Sequence, residues 1–284
     1  MRIVLTGGTG YIGSALVERL VAGGHAVTAL VRGEEAAGKA RKAGAEAVVG
    51  DLFDSAWTAE RFAGGDAVVH LAATGDGDSA RFDRAVVAAA VRALGGTGKP
   101  YVHTGGIWSW GDNADITEES PAAPPALTAW RSEIEQSVLD ADLAATVVAP
   151  GIVFGHGGGI PAGVLVAARD EDGRVRLVGD GSQHWATVHV DDVAALYTLV
   201  VERGERLGRL VAASGVNPTV RELAEAASGG AGVVSETAEA SRARLGAPFA
   251  DALLLDQQAT GAKARSLGWS PSGPALVEEL RAAA

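Results

Sequence analysis

Cysteine is absent from the 284 residues, methionine occurs once and tyrosine three times. Without thiols the chain has no disulfides and no thiolate metal sites. No Lys/Arg block interrupts an acidic balance of 24 basic against 35 acidic residues, a formal net charge of −11. Nucleic acid, whose phosphates need a basic stripe, is therefore not an expected partner. No apolar run reaches the ~18 residues of a membrane span. The chain opens on an apolar strand pattern in place of a signal peptide, so the expectation is a soluble, cytoplasmic protein with no membrane partner. What it has in quantity is apolar residues, 47%, and glycine, 39 residues. Such a chain can bury one large core or two modest ones.

Some of the glycines are spaced for a purpose. Thr6-Gly7-Gly8-Thr9-Gly10-Tyr11-Ile12-Gly13 stands directly behind the apolar run Ile3-Val4-Leu5. Gly7 permits a tight turn, Gly10 lets the backbone approach a pyrophosphate, and Gly13 allows a helix to pack closely on the strand. The helix carries Ile12, Leu16 and Leu20 on one face. Its amino end offers N–H groups and a positive dipole to an anion. A second strand, Ala26 to Val31, ends at Arg32, roughly twenty residues past the turn. An acid there would hold the ribose 2′-hydroxyl of NAD, whereas Arg pairs with the 2′-phosphate of NADP. NADP is the expected cofactor, ahead of NAD.

Strand and helix patterns then alternate, which predicts an α/β fold of Rossmann type: a doubly wound parallel sheet with a smaller, interleaved C-terminal substrate lobe. A helix over Glu35–Ala43 leads to strand Ala47–Val49 and Gly50-Asp51-Leu52, where Asp51 is either a turn cap or a ligand contact. Strand Ala67–Leu71 ends in the small residues Ala72-Ala73, over which a flat ligand can lie. The helix over Ser79–Leu94 is apolar on more than one face, through Phe82, Val86, Val87, Val91 and Leu94. One side would meet the sheet and the other a second copy of the chain, so a homodimer seamed by this helix and the one over Leu127–Asp140 is expected. Strand Pro100–Thr104 delivers Gly105-Gly106, followed by Trp108 and Trp110. On the helix from Leu127, residues Leu127, Trp130, Ile134 and Val138 share a face, and Arg131 stands at i, i+4 to Glu135. Later come strand Ala145–Val148, a helix near Ile160–Ala168, a hairpin-like stretch Arg174–Gly181, a helix from Asp191 to Glu202 and a returning strand Arg209–Ala212. The expected division is a dinucleotide-binding core over about 1–155 with returning segments about 185–213, and a substrate lobe over about 156–184 and 214–284.

Together, the glycine turn, Gly50-Asp51-Leu52, Val69-His70-Leu71-Ala72-Ala73, Ala149-Pro150-Gly151-Ile152-Val153-Phe154-Gly155 and His189-Val190-Asp191-Asp192-Val193-Ala194 resemble the extended and atypical branches of the short-chain dehydrogenase/reductase superfamily. The resemblance spans nearly the whole chain. It implies that Asp51 bonds the adenine, that Leu52 packs beside it, and that Leu71-Ala72-Ala73 passes under the adenine ribose and nicotinamide side. It also implies that Pro150-Gly151-Ile152-Val153 flanks the nicotinamide. Reductases and epimerases of that family use a Ser/Thr, a Tyr and a Lys four residues after the Tyr, the Tyr serving as general acid/base. Here Gly106 stands in the serine place with Thr104 two residues earlier, Leu127 in the tyrosine place and Arg131 in the lysine place. Tyr11, Tyr101 and Tyr197 lie elsewhere in the pattern. The chain resembles members that keep the cofactor site and lose the acid/base set.

The remaining candidates for chemistry are few. Arg131, always protonated, can anchor a carboxylate or polarise a carbonyl. Thr104, at a strand end, is a candidate relay hydroxyl, and His189 (or His184, with His103 inside a strand behind them) a candidate proton donor. Gly105 and Gly106 with Trp108, Trp110, Trp130 and Trp185 form the expected wall for an apolar small-molecule substrate. The spacing of His184, His189, Asp191 and Asp192 matches no standard metal site, and no metal is expected. The expected activity is NADP-dependent reduction of a small, largely apolar carbonyl, imine or polarised C=C bond. The alternatives are a cofactor-retaining epimerase or dehydratase, and an NADP-binding sensor without catalysis.

Overall fold

A computed structural model describes residues 1–284. In chain order it contains β1 (Arg2–Thr6), α1 (Tyr11–Ala22), β2 (Ala26–Val31), α2 (Glu34–Lys42), β3 (Glu46–Val49), α3 (Ser55–Ala63), β4 (Ala67–His70), α4 (Ser79–Leu94) and β5 (Pro100–Thr104). Next come β6 (Asn113–Ile116), α5 (Arg131–Asp140), β7 (Ala144–Pro150), β8 (Ile152–Gly155), β9 (Gly158–Gly159), β10 (Val175–Arg176), β11 (Thr187–His189), α6 (Val190–Arg203) and β12 (Gly208–Ala212). The chain closes with α7 (Val220–Ala227), β13 (Val233–Val234), α8 (Ala238–Leu245), α9 (Ala247–Leu253), β14 (Gln257–Ala259), α10 (Ala262–Ser266) and α11 (Leu276–Ala283). Two compact units are formed, the first by Met1–Gly105, Trp130–Val148 and Ala194–Leu210, the second by Gly106–Ala129, Ala149–Val193 and Val211–Ala284. No helix is long and apolar enough to cross a membrane.

The first unit is built on a seven-stranded sheet in the order β12-β7-β5-β4-β1-β2-β3. Its pairings from β3 through β1 to β7 are parallel. Parallel strands need both faces covered, and β1, β4 and β5 accordingly read as near-continuous apolar runs whose Ile3, Leu5, Val68, Val69 and Val102 are buried. Winding reverses between β1 and β4, and in such sheets the carboxyl ends at the reversal leave a ligand crevice. This is the expected doubly wound fold.

Two local expectations meet a different packing here. The second apolar face of α4 is met from within the chain: Phe82, Val86, Val87 and Leu94 share a core cluster with Ala59 and Phe62 of α3 and with Ile134 and Val138 of α5. Covering that face therefore requires no second copy, and of its large apolar residues only Val91 is exposed. The fifth helix begins at Arg131, not at Leu127; Leu127–Trp130 form a turn, secured by Thr128 N–H on Pro125 O at 3.0 Å.

In the second unit β8 lies between β11 and β9, while β10 pairs with β13 and β6 with β14. The β6–β14 and β8–β11 pairings bring residues 113–116 and 152–155 into this unit, segments that strand–helix alternation alone assigned to the core domain. The expected hairpin over Arg174–Gly181 does not form; Val175 and Arg176 pair instead, in parallel, with Val233 and Val234. The expected helix over Ile160–Ala168 is a single wide turn, Ala162–Val166.

Candidate functional site

Backbone crowding explains two glycines of the first turn, Gly7 and Gly13. Gly7 adopts φ +75° and a Cβ on it would stand 2.5 Å from Ala72 N. A Cβ on Gly13 would stand 2.0 Å from Gly7 O, so helix and turn meet backbone to backbone. Gly10 closes the turn by donating to Gly7 O at 2.9 Å and is the N-cap of α1, with no side chain capping the helix. A helix start so arranged is suited to an anion. A cleft of about 670 Å³ opens over it, lined by Gly7, Thr9, Gly10, Arg32, Leu52 and the Leu71-Ala72-Ala73 segment. Tyr11 and Ile12 follow in the first turn of α1, Tyr11 exposed.

Lys39, Glu35, Thr74 and Phe82 also line this cleft and escaped the sequence reading. The signal for the first two was present: Glu35 and Lys39 stand at i, i+4 and form an ion pair at 2.8 Å. Asp51 is exposed and outside the lining; its Oδ1 accepts from Phe53 N–H at 2.9 Å, the turn-capping alternative.

Directly beneath the turn runs a buried polar chain that no sequence pattern announced. Thr6 Oγ1 lies 2.6 Å from His70 Nδ1, and His70 Nε2 lies 3.1 Å from Asp83 Oδ1. Tyr101 OH stands 3.2 Å from His103 Nδ1, whose other ring nitrogen faces Asp83 Oδ2 at 3.8 Å. Burial favours a neutral Asp83, yet the hydrogen bond from His70 and the charges of His70, His103 and Arg131 hold its carboxyl below the ordinary value. His103 is pushed down to about 3 by burial, then by His70 and Arg131, against the opposing pull of Asp83. Burial drives Tyr101 well up. In a proton arrangement that fits these contacts, Thr6 and Tyr101 donate to the Nδ1 atoms and His70 Nε2–H donates to an ionised Asp83, which leaves His103 Nε2 buried without a hydrogen-bond partner. The chain ties together the carboxyl ends of β1, β4 and β5, where the cleft opens.

Around Thr104 the expectations change. Its Oγ1 donates to His70 O at 2.7 Å and stands 2.7 Å from Tyr197 OH, which must be the donor in that pair. Thr104 has no proton left to give, so its expected part as a relay donor is corrected to that of an acceptor with one lone pair remaining. Tyr197, placed outside the site by its position in sequence, reaches Thr104 from α6, its phenol driven upward by burial. Arg131 donates to Thr104 O at 3.2 Å and stacks on Trp130 at 4.6 Å. The alternative for Arg131, a surface pair with Glu135, is not what forms. Glu135 is buried, faces Arg209 at 3.7 Å, and leaves Oε1 without a hydrogen-bond partner. Burial raises its carboxyl against the pull of Arg209 and Arg131. A Cβ on Gly105 would stand 2.6 Å from Glu135 Oε1, which accounts for the glycine there.

The other candidates fall in the second unit. Trp110 and Trp185 are core residues: Trp110 donates to Ser120 O at 3.1 Å and Trp185 to Leu253 O at 3.0 Å, each indole buried with its N–H satisfied. Their expected part in a substrate wall is corrected accordingly, because a saturated, sequestered indole has no face to offer. Trp108 is half-buried, edge-on to Phe249. Gly106 has open space around it, whereas a Cβ on Gly151 would stand 2.3 Å from Ala186 O. Pro150 ends β7, and Ile152 and Val153 pair with Thr187 and Val188. His184 is held by Asp256 at 2.8 Å. His189 is buried against Phe154 and His156. Asp192 caps the segment before α11, accepting from Ser272 and Gly273 N–H at 2.9 and 3.0 Å.

A model of the NAD dependent epimerase/dehydratase family matches residues 3–97. An uncharacterized protein of Saccharomyces cerevisiae is 31% identical over 214 residues, 72% of this chain and 72% of its own length. The chain belongs to the NAD-dependent epimerase/dehydratase family. It is an NAD(P)-dependent enzyme of oxidoreductase type. The 2-alkyl-3-oxoalkanoate reductase of Stenotrophomonas maltophilia is 34% identical over 71% of this chain and 66% of its own. The human epimerase family protein SDR39U1, solved with NADPH, has the same fold: TM-score 0.73 at 23% identity, covering 99% of this chain and 98% of that one.

Proposed function

We propose that this enzyme uses NADP and reduces a ketone carrying apolar substituents to the alcohol. The observation that carries the reading is Arg32, lining the cleft at the tip of β2 where an NAD enzyme would present an acid. Lys39 adds a second cation on the same wall, partly offset by Glu35. The residues fit the dinucleotide: the glycine turn leaves room for a pyrophosphate, the uncapped start of α1 lines the same cleft, and Leu52 and Phe82 supply apolar walls for a base. The ketone follows from the reductase relative, whose name describes reduction of a 3-oxo group beside an alkyl branch. When bound, NADPH supplies the hydride. Arg131 holds the carbonyl of Thr104 and so sets the end of β5, and Thr104 Oγ1 offers a lone pair to a donor on cofactor or substrate. With Leu127 in the tyrosine place and the Thr104 proton committed, the alcohol's proton comes from water.

Two measurements test this. Arg32→Asp is expected to weaken NADPH binding roughly ten- to a hundredfold, the worth of a charge-assisted bond to phosphate, while leaving NADH binding nearly unchanged. Equal losses for both cofactors would remove the basis for NADP. Incubation with a 2-alkyl-3-oxo ester should consume one NADPH per alcohol formed. Conversion of a sugar nucleotide with no net NADPH oxidation would instead identify an epimerase cycle.

A further inference from the structure

The second unit contains a cluster of nitrogen and oxygen donors that the cofactor chemistry does not use. His156, His189 and Asp191 each offer one ligand atom, and the three atoms lie within 4.8 Å of one another. His156 Nε2 is 3.0 Å from Asp191 Oδ2, and His189 Nδ1 is 3.6 Å from the same oxygen. Zinc–nitrogen bonds of about 2.0 Å separate tetrahedral donors by about 3.3 Å, so these spacings suit one small ion. We propose that His156, His189 and Asp191 form a binding site for a zinc-class transition-metal dication.

Three further features bear on the site. His156 is the one non-glycine residue with positive φ, +52°, so the turn between β8 and β9 holds an unfavoured backbone in directing this imidazole. His189 occupies a slot that two glycines keep open: a Cβ on Gly155 would stand 2.5 Å from its Nε2, and one on Gly273 would stand 2.6 Å from its Cβ. Glu279 of α11 lies 3.7 Å from His189 Nε2 and accepts from Gly157 N–H at 3.1 Å. A carboxylate behind the far nitrogen of a ligating histidine orients the ring and raises its basicity. Binding at Nδ1 displaces the Asp191 N–H that now approaches that nitrogen at 3.2 Å. His156 and Asp191 are exposed, which leaves the remaining coordination positions to water. Two imidazoles and one carboxylate favour Zn²⁺, Co²⁺ or Ni²⁺ over the hard ions Mg²⁺ and Ca²⁺. The ion would clamp the β8–β9 turn to the start of α6, independently of which cofactor or substrate the enzyme takes.

The test is a Co²⁺ titration of the untagged full chain, followed by visible d–d absorption. One equivalent should bind, should be displaced by Zn²⁺ and not by equimolar Ca²⁺, and should raise the melting temperature. His156→Asn, chosen because Asn tolerates positive φ, and Asp191→Asn should each weaken Co²⁺ binding by about tenfold or more. Both positions are exposed, so the apo variants should melt as the parent apo protein does. The proposal is overturned if no absorption band develops, if the band survives both substitutions, or if Ca²⁺ displaces Co²⁺ as readily as Zn²⁺ does.

Discussion

Gly13→Ala is expected to lower stability by about 3 kcal/mol and to abolish NADPH binding. The added methyl would sit 2.0 Å from Gly7 O and 2.8 Å from Gly7 C, and neither atom belongs to a side chain that can swing aside. Alanine is the better helix former by about 1 kcal/mol, but that gain is outweighed when the backbone of the turn must move. The same shift pushes Gly7, already close against Ala72 at φ +75°, out of the conformation that forms the floor of the cleft. In a chain of this size the expected fall in melting temperature is roughly 6–12 °C. Gly10→Ala is the control. Its Cβ would meet only Gly7 O, at 3.3 Å, so the protein should melt near the parent temperature. Thermal melts together with NADPH fluorescence titrations check both substitutions. A Gly13→Ala protein that melts and binds like the parent would show that the helix does not need to approach the turn so closely.

The second large effect is acid sensitivity set by His103. Its proton affinity in the folded state falls from the ordinary 6.5 to about 3, because the ring is fully buried beside His70 and Arg131. The unfolded chain therefore takes up a proton below about pH 6.5 that the folded chain refuses, so unfolding becomes more favourable as pH drops. Stability should decline by about 1.4 kcal/mol per pH unit between roughly pH 6 and 4, from this one group. Asp83 acts in the same direction at lower pH. Its folded carboxyl lies below the ordinary value, so the stability it contributes is present above 3.8 and lost as pH falls through the folded value. Urea unfolding at a series of pH values should show this slope in the parent and a flatter one in His103→Gln. The variant should also lose about 1–2 kcal/mol at pH 7 with the Tyr101 bond. Identical slopes in the two proteins would exclude His103 as the source.

The sequence by itself determined the doubly wound fold, the glycine turn and Arg32 at the tip of β2. All three are written in short windows: periodicity, turn chemistry and a spacing of roughly twenty residues, each with a local physical cause. The resemblance also puts Leu127 where the family's tyrosine would stand. What the sequence could not hold is the pairing of residues far apart in the chain. The buried series Thr6–His70–Asp83 joins β1, β4 and α4, and Tyr197 meets Thr104 from α6. Glu135, read as a helix-surface partner of Arg131, turns inward to Arg209. Trp110 and Trp185, read as a substrate wall, are spent on the core. His156 shows no spacing to His189 that would mark it as a neighbour, yet their ring centres stand 5.2 Å apart. In each case the deciding term is burial or a long-range hydrogen bond. Neither leaves a period in the sequence, so only the packed tertiary structure could select among partners that local pattern leaves equally open.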